Sequence, residues 1–344
     1  MLRKLVVLFL LFVTTTHFGQ IGGKYVYQFL NLAQSPRQAA LGGKVLTVVD
    51  FDVNQAFYNP ATINQEMSNR LSVNYGSYFG EVSYGTAAYA YTWDRHLQTF
   101  HAGVSYINYG TFEGRDELGN LTSDFTGSEA ALSLGYAYNI PWTNMYVGAN
   151  VKLISSTLET YNSWGAATDI GFLYIDDKND INYAISIRNL GFQIKPYDNV
   201  NEKLPLSIDA GISQLMEHVP IRWHVTLENL QQWNIAFSNP NRAEGSLDGS
   251  SNEEKVSFFN NALRHLILGA ELFPEKGFNL RLGYNFRRGE ELRIVDQRNF
   301  SGISVGVGIR FGKVKFDYSY SRYTVAANTS LFGLMIDLDR DRRY

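Results

Sequence analysis

The chain of 344 residues has no cysteine. This absence excludes disulfide bonds, thiolate metal sites, a cysteine nucleophile and a lipid anchor attached to cysteine. An excess of positive charge is also missing, because 30 Lys and Arg stand against 33 Asp and Glu. The electrostatic basis for nucleic-acid binding is therefore lacking. Charged residues form only 18% of the chain, below the roughly 25% of average soluble domains.

Long apolar runs are nearly absent too. The run from Leu5 to Val13 follows Arg3 and Lys4, and polar residues come after it. It is too short to cross a bilayer as a helix. This order predicts a secretory signal peptide over residues 1–19 that is cleaved before Gln20. A buried N-terminal helix is the alternative.

Aromatic residues are abundant, with 22 Tyr and 22 Phe, as expected of the aromatic girdles of membrane barrels. Apolar residues also alternate with small or polar ones along many segments, which indicates strands. The clearest apolar face is Ile303, Val305, Val307, Ile309 and Phe311. Several such segments are about ten to thirteen residues long, longer than the five or six of soluble strands and close to what tilted membrane strands need.

The predicted strands cover residues 70–78, 81–93, 98–109, 128–139, 144–157, 164–176, 180–190, 203–215, 221–229, 264–273, 277–287, 299–311, 313–323 and 330–339. Connections after even-numbered strands are tight, whereas those after odd-numbered strands are mostly long. A transmembrane barrel has short turns on one side and longer loops on the other. The sequence therefore predicts an all-β fold, a fourteen-stranded antiparallel transmembrane β-barrel over residues 70–344, with its longest loops outside the cell.

Residues 20–69 do not resemble membrane strands. They contain Pro36, Pro60 and the pair Gly42-Gly43, which are typical of turns. A barrel of this size encloses more space than the side chains of its wall fill. We therefore predict an N-terminal hatch or plug segment over residues 20–69, with a periplasmic arm as the alternative.

The longest predicted loop, residues 230–263, carries its own helix signal. Ser251 and Glu254 have capping-box spacing, and Phe259 and Leu263 follow on one helical face. Exposed aromatic side chains often mark interfaces, so this loop is a candidate docking surface. A loop folded onto the barrel rim is the alternative. The candidate partner-binding residues are Trp233, Ile235, Phe237, Phe258 and Phe259.

The stretch SPRQAALGG at residues 35–43, followed by Asp50, Asp52 and the triplet Asn-Pro-Ala at 59–61, resembles the N-terminal signature of the PorV/PorQ family. These are barrel proteins of the type IX secretion system, related in fold to the FadL fatty-acid transporters. The preceding residues 22–32 look more like PorQ members than PorV members. Lys44 departs from the pattern, because PorV-like sequences often have a small or apolar residue there.

The resemblance implies a fourteen-stranded outer-membrane barrel with a non-enzymatic role in the cell-surface attachment complex. The partners it implies are a PorZ-like surface protein, with PorU and PorV beside it, and outer-membrane lipid or lipopolysaccharide. It brings no catalytic residues, cofactor or metal to carry over. Nucleic acid is not expected as a partner.

Histidines and acids offer little support for an enzyme or a metal site. His101, His224 and His265 fall on polar faces of predicted strands and could point into the lumen. No Gly-x-Ser-x-Gly elbow accompanies them, so a hydrolase is disfavoured. An acidic cluster lies at a predicted tight turn: Asp176, Asp177, Asn179 and Asp180. Acidic residues are ordinary at tight turns, so a calcium-binding loop is disfavoured.

The leading functional hypothesis is a docking scaffold of the type IX machinery. The alternative is a FadL-like transporter of hydrophobic compounds. A transporter predicts apolar groups in the lumen, whereas the predicted inward faces carry mostly Gly, Ser and charged residues. A secreted soluble adhesin and an outer-membrane hydrolase rank behind both.

Overall fold

The computed structural model describes residues 25–78, 80–94, 98–236, 257–291, 301–322 and 328–339. The predicted signal peptide lies outside these residues. The strands are β1 (Arg70–Ser77), β2 (Ser83–Asp94), β3 (Gln98–Phe112), β4 (Phe125–Asn139), β5 (Met145–Leu158), β6 (Tyr161–Asp176), β7 (Ile181–Lys195), β8 (Ser207–Leu215), β9 (Ile221–Leu227), β10 (Leu266–Leu272), β11 (Phe278–Asn285), β12 (Ile303–Phe311), β13 (Val314–Arg322) and β14 (Asn328–Asp337). Short α-helices are α1 (Pro36–Ala40), α2 (Phe258–Arg264) and α3 (Phe286–Glu291). No helix in the described ranges has both the length and the apolar character needed to cross a membrane.

Each strand pairs antiparallel with its neighbours in sequence, and β1 pairs with β14 from Arg70↔Asp337 to Ser77↔Ser330. This last pairing closes the barrel and removes both sheet edges. The predicted fourteen-stranded antiparallel β-barrel is confirmed. The strand bounds shift by a few residues: β6 begins at Tyr161, three residues before the predicted start.

The wall of the barrel is uneven in height. Strands β3 to β7 contain 14 to 16 residues each, whereas β8 to β11 contain 7 to 9. Connections after even-numbered strands are short, such as 312–313. Those after odd-numbered strands include 113–124 and 196–206. We call the two ends of the barrel the short-turn end and the long-loop end.

Alternation along the strands places apolar side chains outside and polar ones inside. On β4, Leu132 and Leu134 are 44% and 59% exposed, whereas Ser133 between them is 2% exposed. The same contrast separates Val305 at 43% from Ser304 at 1%. A soluble barrel would bury its apolar face, so this reversed order is that of a barrel whose outer face meets lipid.

Residues 25–69, which we call the inner segment, fold as short turns with capped starts. Ser35 begins α1, and its side chain accepts a hydrogen bond from the backbone N–H of Gln38, with Pro36 at the first helical position. Asn59 and Pro60 repeat this arrangement at the 3₁₀ turn Pro60–Thr62. A polar cap followed by proline is a favoured helix start. The Ser-Pro and Asn-Pro pieces of the sequence signature are therefore both turn starts.

The inner segment lies against inward-facing glycines of the wall. A Cβ added at Gly148 of β5 would overlap the backbone of Pro60, and one at Gly283 of β11 would overlap the backbone of Gly42. A Cβ at Gly103 would come 2.5 Å from the ring of Phe57. Glycine at these positions allows the backbone of the inner segment to approach the wall. Gly42, Phe57 and Pro60 of the inner segment therefore lie against the inward face of the wall, on β11, β3 and β5. The hatch over residues 20–69 stays a prediction.

Candidate functional site

An apolar cluster lies in the lumen at the long-loop end. Side chains from the long-loop ends of six strands form its wall: Tyr84, Ile107, Ala131, Ile154, Ala167 and Leu331. Buried residues of the inner segment fill it: Val26, Tyr27, Phe29, Leu30 and Ala33. We call this region the apolar compartment. The transporter alternative predicted apolar groups in the lumen, whereas the sequence analysis expected mostly Gly, Ser and charged residues on the inward faces.

The first described residues, 25–32, cover the apolar compartment, and we call them the lid. Phe29 and Leu30 are 4% and 5% exposed, whereas Gln28 and Asn31 in the same 3₁₀ turn are exposed. The lid therefore presents an apolar side to the compartment and a polar side to solvent. This burial of apolar surface stabilises the packing of the lid against the compartment.

Polar contacts also hold the lid. Tyr25 forms a parallel β-bridge with Lys203, and the N–H of Val26 donates to the Lys203 carbonyl at 3.0 Å. The hydroxyls of Tyr27 and Ser163 lie 2.5 Å apart. Tyr27 has a φ of +56°, a left-handed conformation that is uncommon for a residue with a side chain. Its buried ring and its hydroxyl contact hold it there.

One acidic side chain interrupts the apolar compartment. Glu129 of β4 is 5% exposed and accepts a hydrogen bond from the Tyr109 hydroxyl at 2.5 Å. Ser156 on the neighbouring strand also hydrogen-bonds Glu129, and Tyr197 donates to Ser156. Among the described residues, Glu129 forms no ion pair. Sequence reasoning missed this group, although Glu129 is the only charged residue of predicted strand 128–139.

The sheet beside the apolar compartment is interrupted. Strand β8 pairs with β7 only up to Arg188↔Ser207, and residues 190–195 pair only with β6. Asn189 marks the break with a φ of +57°, and its N–H donates to Asp169 at 2.8 Å. Connection 196–206 closes the gap with side-chain hydrogen bonds, such as Asn189 to the Pro205 carbonyl at 3.1 Å. Here the wall lacks a continuous backbone ladder.

The lumen at the short-turn end is ionic. Arg37 of α1 lies 2.6 Å from Asp50 and 2.7 Å from Glu271, and Arg281 lies 2.8 Å from Glu271. Arg281 also reaches Asp317 at 2.5 Å. We call these five residues the ionic cluster. It ties the inner segment to β10, β11 and β13.

Two further features fix the inner segment. Cationic groups of Arg70, Arg310 and Lys315 lie 4.4, 5.0 and 5.1 Å from the centre of the Phe51 ring. Lys44, the residue that departs from the family pattern, lies 3.1 Å from Asp209 and 3.2 Å from Glu228. The departure therefore gives the inner segment a second ionic contact with the wall.

Burial in the ionic cluster raises the pKa of Asp50, but the positive charges of Arg37 and Lys315 lower it more strongly. The net result is a pKa below the ordinary value of an aspartate. Asp50 is thus held as a carboxylate by the same contacts that hold the inner segment.

The three histidines lie on different elements of the barrel, His101 on β3, His224 on β9 and His265 directly after α2. His101 and His224 are buried, and His101 meets the edge of the Phe57 ring at 5.4 Å. His265 ends α2 and precedes β10, so its placement on a strand is wrong. Its ring nitrogens lie 2.6 Å and 3.1 Å from the carbonyls of Glu228 and Trp233. Within the described ranges, no group of three potential metal ligands comes together.

The predicted docking residues are only partly brought together. The rings of Trp233 and Phe258 lie 4.7 Å apart, and Phe258 and Phe259 are 74% and 72% exposed. Ile235 is 4% exposed, so it offers no surface. Phe237 and the proposed capping pair lie outside the described residues. Helix α2 instead begins after Ser257, whose side chain accepts from Asn260.

Two solved structures resemble the whole barrel. The Ralstonia pickettii toluene transporter TbuX superposes with a TM-score of 0.52 at 15% identity, over 90% of this chain and 98% of that chain. A Pseudomonas aeruginosa FadL homologue gives 0.51 at 9% identity, over 89% and 98%. No protein-family profile and no curated protein matches the chain. The fold is therefore that of FadL-like outer-membrane barrels.

Proposed function

We propose that the protein is an outer-membrane barrel that admits hydrophobic compounds through its apolar compartment. The observation that carries this proposal is the apolar compartment at the long-loop end, which is occupied by the buried side chains of the lid, residues 25–32. Long loops of such barrels face the outside of the cell, so the lid faces the source of the compounds. The likeness in fold to a protein described as a toluene transporter supports the same class of cargo.

The exit is the break between β7 and β8. An apolar molecule in the compartment cannot continue toward the short-turn end without separating buried charges, which is costly. At the break it meets connection 196–206 and side-chain hydrogen bonds instead of a continuous backbone ladder. The outer face there is apolar, since Leu190, Phe192 and Ile194 are 48%, 65% and 61% exposed. The route therefore leads sideways into the membrane.

A second candidate function is the docking scaffold of a type IX attachment complex, in which a PorQ-like, non-enzymatic barrel holds a PorZ-like surface protein. The exposed pair of Trp233 and Phe258 favours it, together with the family signature at residues 35–61. Exposed aromatic anchors are typical of interfaces. A pull-down of the tagged barrel tests this function. Copurification of a PorZ-like protein with the wild type, and its loss in Trp233→Ala, would support it.

A disulfide lock tests the transport proposal. The chain has no cysteine, so the double variant Tyr25→Cys and Lys203→Cys can form only one disulfide, between β-bridge partners. We expect the oxidised variant to stop uptake of a hydrophobic fluorescent probe into vesicles, and reduction to restore it. The matched control is Arg115→Cys with Leu121→Cys, a β-bridge in an exposed loop. Equal uptake with the lid locked and unlocked would overturn the proposal.

A further inference from the structure

We propose that the apolar compartment selects hydrophobic compounds that carry a hydrogen-bond donor, a hydroxyl or an amine, and rejects carboxylates, with Glu129 as the recognising group. This inference rests on the proposed function, because the compartment must first admit a ligand. It adds the class of compound that the same site prefers.

The position of Glu129 brings its carboxyl group into the compartment. Its register partners are Ile107 on β3 and Ser156 on β5, and Ala131 follows it on the same inward face. Ile107 and Ala131 are wall residues of the compartment. A molecule that replaces the buried side chains of the lid would therefore lie beside Glu129.

The hydrogen bonds around Glu129 make it an acceptor. Tyr109 donates to one carboxylate oxygen, and Ser156 supplies a second hydroxyl. A carboxylate offers about four lone-pair positions, so acceptor capacity remains for a ligand. A donor on the ligand can use it without displacing either hydroxyl.

Several of the buried cations are already paired with acids. Lys152 lies 2.7 Å from Asp169, Lys44 lies 3.1 Å from Asp209, and Arg37 belongs to the ionic cluster. Among the described residues, Glu129 has no cationic partner in an ion pair. A ligand carboxylate would therefore meet a like charge in surroundings of low polarity, where repulsion is strong.

The test compares ligands of one shape: toluene, benzyl alcohol, benzylamine and benzoate. Their binding to the full chain in detergent is measured by displacement of N-phenyl-1-naphthylamine. We expect benzyl alcohol and benzylamine to bind at least about tenfold more tightly than toluene, as one hydrogen bond to a charged group allows. Benzoate should bind most weakly. In Glu129→Gln, we expect benzylamine to lose its advantage and benzoate to improve.

A second variant separates recognition from folding. Tyr109→Phe removes one donor to Glu129 but keeps the carboxylate, so the preference for benzyl alcohol and benzylamine should persist or grow. Its loss in Tyr109→Phe would overturn the role of Glu129. Heat-modifiable migration on gels confirms that each variant is folded.

The outcomes distinguish the two proposals. Toluene binding without discrimination among the four ligands would overturn this inference and leave hydrophobic transport standing. Failure of every ligand to displace the probe from the wild-type chain would overturn the transport proposal and this inference with it.

Discussion

The two ends of the lumen hold the inner segment by different forces. At the long-loop end, Phe29 and Leu30 pack against apolar wall residues. At the short-turn end, Arg37 bridges Asp50 and Glu271. Apolar contacts are not directional, so another apolar occupant can replace the lid. An ion pair cannot be opened in this way, because one buried charge would remain without its partner.

The difference in force implies a division of roles. The ionic cluster fixes the central part of the inner segment to the wall of the short β8–β11 side and to β13. Residues 33–35 separate the lid from α1, which carries Arg37. The proposed exchange of the lid with ligands needs a neighbouring segment that stays in place. Helix α1, which carries Arg37, is that segment.

The largest expected effect comes from breaking the ionic cluster with Arg37→Leu. This change leaves Asp50 without its guanidinium partner and Glu271 with Arg281 alone in a buried site. We expect the free energy of unfolding to fall by about 3–5 kcal/mol, measured by thermal unfolding in detergent.

The matched control for that variant is Arg115→Leu, which removes an exposed ion pair with Glu113. It should change stability by no more than about 0.5 kcal/mol. Equal effects of the two variants would show that the buried pairs do not anchor the inner segment.

The next effect tests the fit between wall and inner segment. In Gly148→Ala, the new methyl group would overlap the backbone of Pro60. We expect a loss of about 1–3 kcal/mol from overpacking and faster proteolysis within residues 53–62. In Gly277→Ala the nearest atom lies 3.5 Å away, so stability should be unchanged. Proteolysis at the wild-type rate in Gly148→Ala would place the inner segment away from β5.

Much of the wall was predictable from the sequence, because alternation and strand length are local properties. Leu134 and Ser133 could be assigned to opposite faces without knowing any partner. The ionic cluster was not predictable, since Arg37 and Glu271 are separated by 234 positions. Lys44 likewise drew attention as a departure from a pattern, but its partners Asp209 and Glu228 emerge only from the closed barrel.

The candidate site shows the same limit. The sequence predicted an exposed docking surface in the longest loop, but Ile235, one of its proposed residues, is buried. The apolar compartment draws one residue from each of several strands, so no single stretch reveals it. Sequence analysis missed Glu129, because a single charge on a predicted strand is a weak signal without knowledge of its neighbours.

A smaller, local effect is expected for the lid in Tyr27→Phe. The variant loses the hydroxyl contact with Ser163, and one hydrogen bond contributes about 1 kcal/mol. We expect the lid to open more often, with faster hydrogen exchange in residues 25–32 and faster probe uptake, while the thermal unfolding temperature stays the same. Tyr75→Phe, on the exposed outer face, serves as the control. A lower unfolding temperature without faster exchange in the lid would contradict the division of roles.

The smallest expected effect is a change of folding stability with pH, caused by the titration of Asp50 in the ionic cluster. Its pKa in the folded chain lies below its ordinary value of 3.8, since Arg37 and Lys315 outweigh the cost of burial. A lowered folded pKa means that the unfolded chain binds the proton more readily, so acid favours unfolding. The stabilisation is therefore complete above about pH 5 and declines as pH falls toward the folded pKa. We expect Asp50→Asn to be less stable than the wild type at pH 7, and the gap in unfolding temperature to narrow between pH 5 and pH 3. A gap that stays constant over this range would mean that the Asp50 carboxylate does not anchor the inner segment.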